Sequence, residues 1–115
     1  MESIHQIDKE KAPLWLEGDE LMFARIKAIF MKNIPSQVEA LGAMLEAGDC
    51  SSSERAAHTM MGSAAMLGAN SMSNEARLIE QSAIEGNMDS ARLHFTKFVA
   101  EYTKVMIELS VAGDK

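Results

Sequence analysis

The stretch Arg55-Ala56-Ala57-His58-Thr59-Met60-Met61-Gly62-Ser63-Ala64-Ala65-Met66-Leu67-Gly68-Ala69 sets one histidine in a run of small and apolar residues that reads as a single helix. At about 100° per residue, Ala56, Met60, Ser63, Ala64 and Leu67 gather on one side as the core stripe. His58, Glu54, Arg55, Met61, Gly62 and Ala65 gather on the other, so the imidazole is expected to face outward. Gly62, one turn beyond His58, costs the helix roughly 1 kcal/mol against alanine. It also leaves bare backbone beside the imidazole, which lets a second molecule approach. Ala65 continues this low floor, and His58 reads as a presented nucleophile.

The same helical period extends along the chain. Pro13 suits the first position of a short helix through Leu14, Trp15 and Leu16, closed by Gly18, which is expected to lid one end of the fold. Asp19 is a plausible N-cap for a helix in which Phe23, Ile26, Phe30, Ile34, Val38, Leu41 and Leu45 recur at three- and four-residue steps. Pro35 predicts a kink there or a break into two segments. Gly48 and Asp49 end that run. Ser51-Ser52-Ser53-Glu54 predicts a capping box at the head of the His58 helix, which Gly68 stops. Ser71 or Ser73 is expected to cap the next helix, with Met72, Ala76, Ile79 and Ala83 as its inner stripe. Gly86 ends it. Asn87 then caps a last helix carrying Ala91, Phe95, Phe98, Tyr102, Val105 and Leu109.

These patterns predict an all-α fold, an antiparallel up-and-down four-helix bundle with a short N-terminal lid helix. Residues 1–12 are expected to be an extension, 13–112 the bundle and 113–115 a tail. The 115 residues, 47% hydrophobic, suffice for one core. Eleven basic against seventeen acidic residues give a net charge of −6, which argues against nucleic acid or an anionic membrane as partner. No apolar run is long enough to span a membrane and no signal-peptide pattern opens the chain, so a cytoplasmic location is expected. Cys50 is the only cysteine, which rules out an intrachain disulfide and reads as a loop thiol. The ten methionines read as fillers of core gaps, Met61 excepted. His5 and His94 read as surface residues.

Ala57 through Ala69 closely resemble the signature of histidine-containing phosphotransfer (HPt) domains, roughly Ala-His-Thr-Leu-Lys-Gly-Ser-Ala-Ala-x-Leu-Gly-Ala. Met60 replaces Leu conservatively, while Met61 stands where the family usually has a Lys thought to steady the phosphoryl group. Ala76-Arg77-Leu78-Ile79-Glu80 fits the second helix of the family's hairpin, and the resemblance spans nearly the whole chain. It implies a phosphocarrier, not an enzyme. His58 would accept a phosphoryl group from a receiver-domain aspartate and pass it to another receiver domain. Its partners would be a response regulator, a hybrid sensor histidine kinase or both, and the Mg²⁺ and aspartate would come from the partner, with no cofactor or metal on this chain.

Hairpin geometry gives His58 its neighbours. If the helix pair turns near Ala69, residues whose numbers sum to about 138 lie level, because both helices rise about 1.5 Å per residue. His58 then faces Glu80, whose carboxylate could accept from Nδ1–H and leave Nε2 free; the resemblance likewise puts a Gln or Glu at this position. Met61 faces Arg77, which with Arg55 is a candidate to replace the missing lysine charge. Met61, Gly62 and Ala65 form the expected docking floor. Two other readings compete: a soft-metal site in which His58 and Met61 bind Cu(I), and a helical adaptor in which His58 is inert.

Overall fold

The computed structural model describes residues 20–113, with side chains through 110. Four helices follow one another: α1 (Glu20–Ala47), α2 (Cys50–Met66), α3 (Asn70–Ile84) and α4 (Met88–Gly113). No strand occurs among the described residues. Connections this short force antiparallel neighbours, and the packing follows the chain: α2 on α3 and α3 on α4 are the extensive contacts, while α1 closes the bundle against α2 and α4. The lid helix with Pro13, Trp15 and Gly18, the Asp19 cap, residues 1–12, His5 and most of the expected tail lie outside the described residues. α4 itself runs to Gly113, one residue past the expected end of the bundle.

The stripes meet as expected. Phe30, Ile34, Val38, Leu41 and Leu45 of α1, Met72, Ala76 and Ile79 of α3, and Ala91, Phe98, Val105 and Leu109 of α4 are buried in one cluster. Phe23, Ile26, Phe95 and Tyr102 border it, packed on its edge and half-buried. Met60 and Met72 are fully buried, and Met31, Met88 and Met106 pack on the cluster edge, where an unbranched thioether fits irregular gaps. Gly42 lets α4 come close, since a Cβ there would stand 3.2 Å from the Phe95 ring.

Pro35 does not divide the first helix: α1 is one element of 28 residues. Its ring is on the exposed side, where water can satisfy the carbonyl of Met31 that loses its partner. α2 also starts earlier than the serine run suggested. Gly48 ends α1 in the left-handed region at φ +74°, with Asp49 N–H bonded to the carbonyl of Met44 at 3.0 Å. That turn leaves Asp49 extended, and its carboxylate accepts from Ser52 N–H at 3.0 Å. Asp49 is therefore the N-cap, and the Ser51–Glu54 capping box does not form because both residues already lie inside the helix. Cys50 is accordingly the first helical residue rather than a loop thiol, and its Sγ–H donates to Met88 Sδ at 3.4 Å.

α3 begins at Asn70 behind Ala69, which offers no side-chain cap, so neither Ser71 nor Ser73 has the expected role. Only Leu67, Gly68 and Ala69 separate the helices, all buried, and Gly68 takes φ +75°. Ser73 instead donates to the main-chain carbonyl of Met61 across the hairpin at 2.9 Å. Asn87 caps α4 as expected, through Ser90 N–H at 3.1 Å. Arg92 then ties α4 to the end of α1, donating from Nε at 3.1 Å and Nη2 at 2.8 Å to the carbonyl of Leu45.

The Asp49 carboxyl is held below its ordinary 3.8, first by the Ser52 backbone N–H, then by the Ser52 hydroxyl and, less, by Arg55. A lowered folded-state value means that the stabilisation is fully present above about pH 3.8 and is lost as pH falls through the folded value. Asp49→Ala is expected to lower Tm at pH 7 and Asp49→Asn to keep most of the cap. The Tm advantage of wild type over Asp49→Asn should vanish as thermal melts move into acid. A gap that persists at low pH would mean that the charge on Asp49 is not its source.

Candidate functional site

Ser53, Ala57, Met60, Ala64 and Leu67 are the buried residues of the His58 helix and its cap. The helix is thus turned slightly from the expected wheel: Ala57 and Ser53 are inside, while Ala56 and Ser63 are only half-buried. The same rotation corrects Met61, which is half-buried and packed against the core rather than projecting outward. Glu54 is likewise half-buried. Thr59, Gly62 and Ala65 are exposed around His58, whose side chain is 65% accessible. A Cβ added at Gly62 would meet nothing within 4 Å, so the space beside the imidazole is open.

His58 Nδ1 lies 3.0 Å from Oε2 of Glu80, the contact expected from the hairpin register. An ionised carboxylate only accepts, so Nδ1 carries the proton, and in the neutral imidazole Nε2 keeps its lone pair. The Glu80 side chain is itself only 19% exposed, so the helix seam holds the imidazole from one side. The Ser73 bond to the Met61 carbonyl fixes the two helices against each other one turn further along.

The two arginines stand apart from this pair. Arg55 is drawn toward the start of its own helix, donating to the Ser51 hydroxyl at 2.8 Å and the Ser52 hydroxyl at 3.5 Å. Arg77 donates from Nη2 to the side-chain carbonyl of Asn74 at 2.9 Å. Both guanidiniums are exposed and held by neutral groups. Among the described residues no three His, Cys, Asp or Glu side chains gather as a metal site. No helix among them is long and apolar enough to cross a membrane.

Sequence reasoning missed a second imidazole of the same kind. His94 on α4 is half-buried, not a free surface residue, and its Nδ1 lies 3.0 Å from Oε1 of Glu75 on α3. The signal was present: the antiparallel arithmetic that pairs His58 with Glu80, applied to the turn at Gly86, brings His94 within a turn of Glu75.

No curated protein and no solved structure matches the chain. The family model of the Hpt domain matches residues 25–108, which takes in most of α1, both helices of the hairpin and most of α4. The chain belongs to the Hpt domain family.

Proposed function

We propose that this protein is a phosphorelay module whose His58 takes a phosphoryl group from the aspartyl phosphate of one receiver domain and returns it to another. Family membership carries the class of activity: Hpt domains are phosphocarriers of two-component phosphorelays and work with receiver domains of response regulators or hybrid kinases. The observation that carries the assignment to this residue is the His58 Nδ1 contact with Glu80 beneath an open, exposed face.

The chemistry follows from that contact. Nε2 attacks phosphorus, a nitrogen–phosphorus bond forms and the bond from phosphorus to the aspartyl oxygen breaks, freeing the carboxylate. The positive charge that develops on the ring is shared through Nδ1–H with Glu80, which positions the imidazole without touching the phosphoryl group. The reverse step delivers the group to a second aspartate. In this reading the receiver domain supplies Mg²⁺ and the accepting aspartate. Gly62 and Ala65 give the partner a low surface on which to dock, edged by Met61, and a transient interface of this kind can be small.

Incubation with a phosphorylated receiver domain should transfer an acid-labile, alkali-stable label to the chain, and His58→Gln should abolish it. A label that is acid-stable, or one that His58→Gln still accepts from the receiver, contradicts the assignment.

Gly62→Leu tests the open face separately. The added side chain has room and the helix gains up to about 1 kcal/mol of propensity, so Tm should hold or rise while transfer falls steeply. Unfolding of this variant would show that Gly62 serves packing instead.

Arg77 is the cation we assign to the phosphoryl group in place of the missing lysine. It stands on α3 one turn before Glu80, at the height of Met61 in the antiparallel register, and among the described residues the amide of Asn74 holds it. Once His58 carries two negative charges, a guanidinium released from a neutral partner can offer two donors to the phosphoryl oxygens. At an exposed site the gain is about 1 kcal/mol or less. Arg77→Ala should therefore shift the transfer equilibrium several-fold, Arg55→Ala should shift it less, and adding Met61→Lys should restore what Arg77→Ala lost. An unchanged equilibrium and phosphohistidine lifetime in Arg77→Ala would remove the residue from this role.

A further inference from the structure

α3 offers a glutamate to each of its neighbours, and each meets an imidazole in the same way. Glu80 reaches Nδ1 of His58 on α2 at 3.0 Å, and Glu75 reaches Nδ1 of His94 on α4 at 3.0 Å. Both glutamate side chains are 19% exposed. In both pairs an ionised carboxylate fixes the proton on Nδ1 and leaves the lone pair on Nε2. No described side chain or backbone group bonds His94 Nε2. The side chain is 21% exposed, which leaves part of the ring open to solvent.

Two differences separate the pairs, and together they say what His94 could accept. His94 is 21% exposed against 65% for His58. The position four residues on is the buried Phe98 rather than a bare glycine. A protein active site cannot lie flat over a ring so recessed, but a small molecule can reach its open edge. Three residues on from His94, where the His58 helix has Met61, stands the exposed Lys97. At three residues' spacing the two side chains share one helix face, so the Lys97 ammonium can extend toward a tetrahedral anion formed on Nε2.

We propose that His94 is a second phosphoryl acceptor, one that takes its group from a small acyl phosphate rather than from a receiver domain. The Nε2 lone pair attacks phosphorus, and the nitrogen–phosphorus bond forms as the bond from phosphorus to the acyl oxygen breaks. The carboxylate departs with the bonding electrons. Glu75 holds the Nδ1 proton and offsets the charge on the ring, and Lys97 pairs with the phosphoryl oxygens. The product is a phosphoramidate that places negative charge on the α3–α4 face, away from the surface on which a receiver docks.

The probe is radiolabelled acetyl phosphate with the full chain. His58→Gln should still take up an acid-labile, alkali-stable label, and mass spectrometry of its fragments should place the phosphoryl group on His94. His94→Asn keeps an amide N–H near the place of Nδ1–H and so preserves the bond to Glu75, but it has no Nε2; added to His58→Gln it should remove the label while Tm stays close to that of the single variant. Glu75→Ala in the His58→Gln background should slow labelling about a hundredfold, the lower end of what a positioned acid–base partner contributes. An unlabelled His58→Gln chain, a label that survives both substitutions, or one that maps to another residue would overturn the proposal. His94→Asn alone should exchange phosphoryl groups with a receiver domain as wild type does, so a failure at His94 leaves the reading of His58 standing, and the converse holds as well.

Discussion

The three-residue turn Leu67-Gly68-Ala69 is the constraint on which the arrangement depends. Gly68 adopts φ +75°, a backbone state that side-chain-bearing residues rarely enter. The bond from Ala69 N–H back to the carbonyl of Ala64 at 2.9 Å closes the end of α2 over it. With both ends of the turn buried, the register of α2 against α3 has no freedom to slip. That register brings Glu80 to His58 across 22 residues of sequence and Ser73 to the Met61 carbonyl. A longer or looser turn would leave the imidazole on the same exposed helix face with nothing to select its tautomer.

The rest of the molecule packs around that hairpin and supports it. Met60, Ala64 and Ala57 on the hidden side of the His58 helix are fully buried, and their small or flexible side chains let α3 and α1 pack tightly against it. The exposed side is left to Gly62, Ala65 and Thr59. The packing and the proposed chemistry thus occupy opposite faces of one helix, which is why a substitution at Gly62 is expected to act on one without the other. At the far end, Arg92 satisfies the carbonyl of Leu45 and joins the beginning of α4 to the end of α1. This bond offsets the free carbonyls that a helix end otherwise leaves to water.

What could be read in advance divides along a physical line. The apolar stripes of α1, α3 and α4 were legible because burial of large side chains is the largest energetic term and repeats at the helical period. The Glu80 contact was legible because two helices joined by a short turn have little choice of register. Helix starts were not. Asp49, Ser51 and Ser53 are all competent cap residues, and the choice fell to Asp49 because the Gly48 turn had already set its backbone. The phase of α2 was also misjudged, since alanines and serines give a weak stripe on which Ala56 and Ala57 are nearly interchangeable. Met61 moved inward for that reason. The His94 pair was overlooked because a histidine among Leu93, Phe95 and Thr96 has no local pattern, and its partner appears only when α3 is laid beside α4.

The order in which helices pack has a consequence for how the molecule comes apart and together. The extensive contacts join α2 to α3 and α3 to α4, neighbours in sequence, whereas α1 packs less extensively on either of its partners. Contacts between consecutive helices close short loops and form early at small entropic cost, while α1 must close against α4 across the length of the chain. The hairpin that carries His58 can therefore assemble as a local unit before the bundle is complete. Brief excursions in which α1 lifts away belong to the low-energy end of the opening spectrum and leave His58 and Glu80 together. Thermal noise in this bundle is steered toward the helix that holds no part of the His58–Glu80 pair.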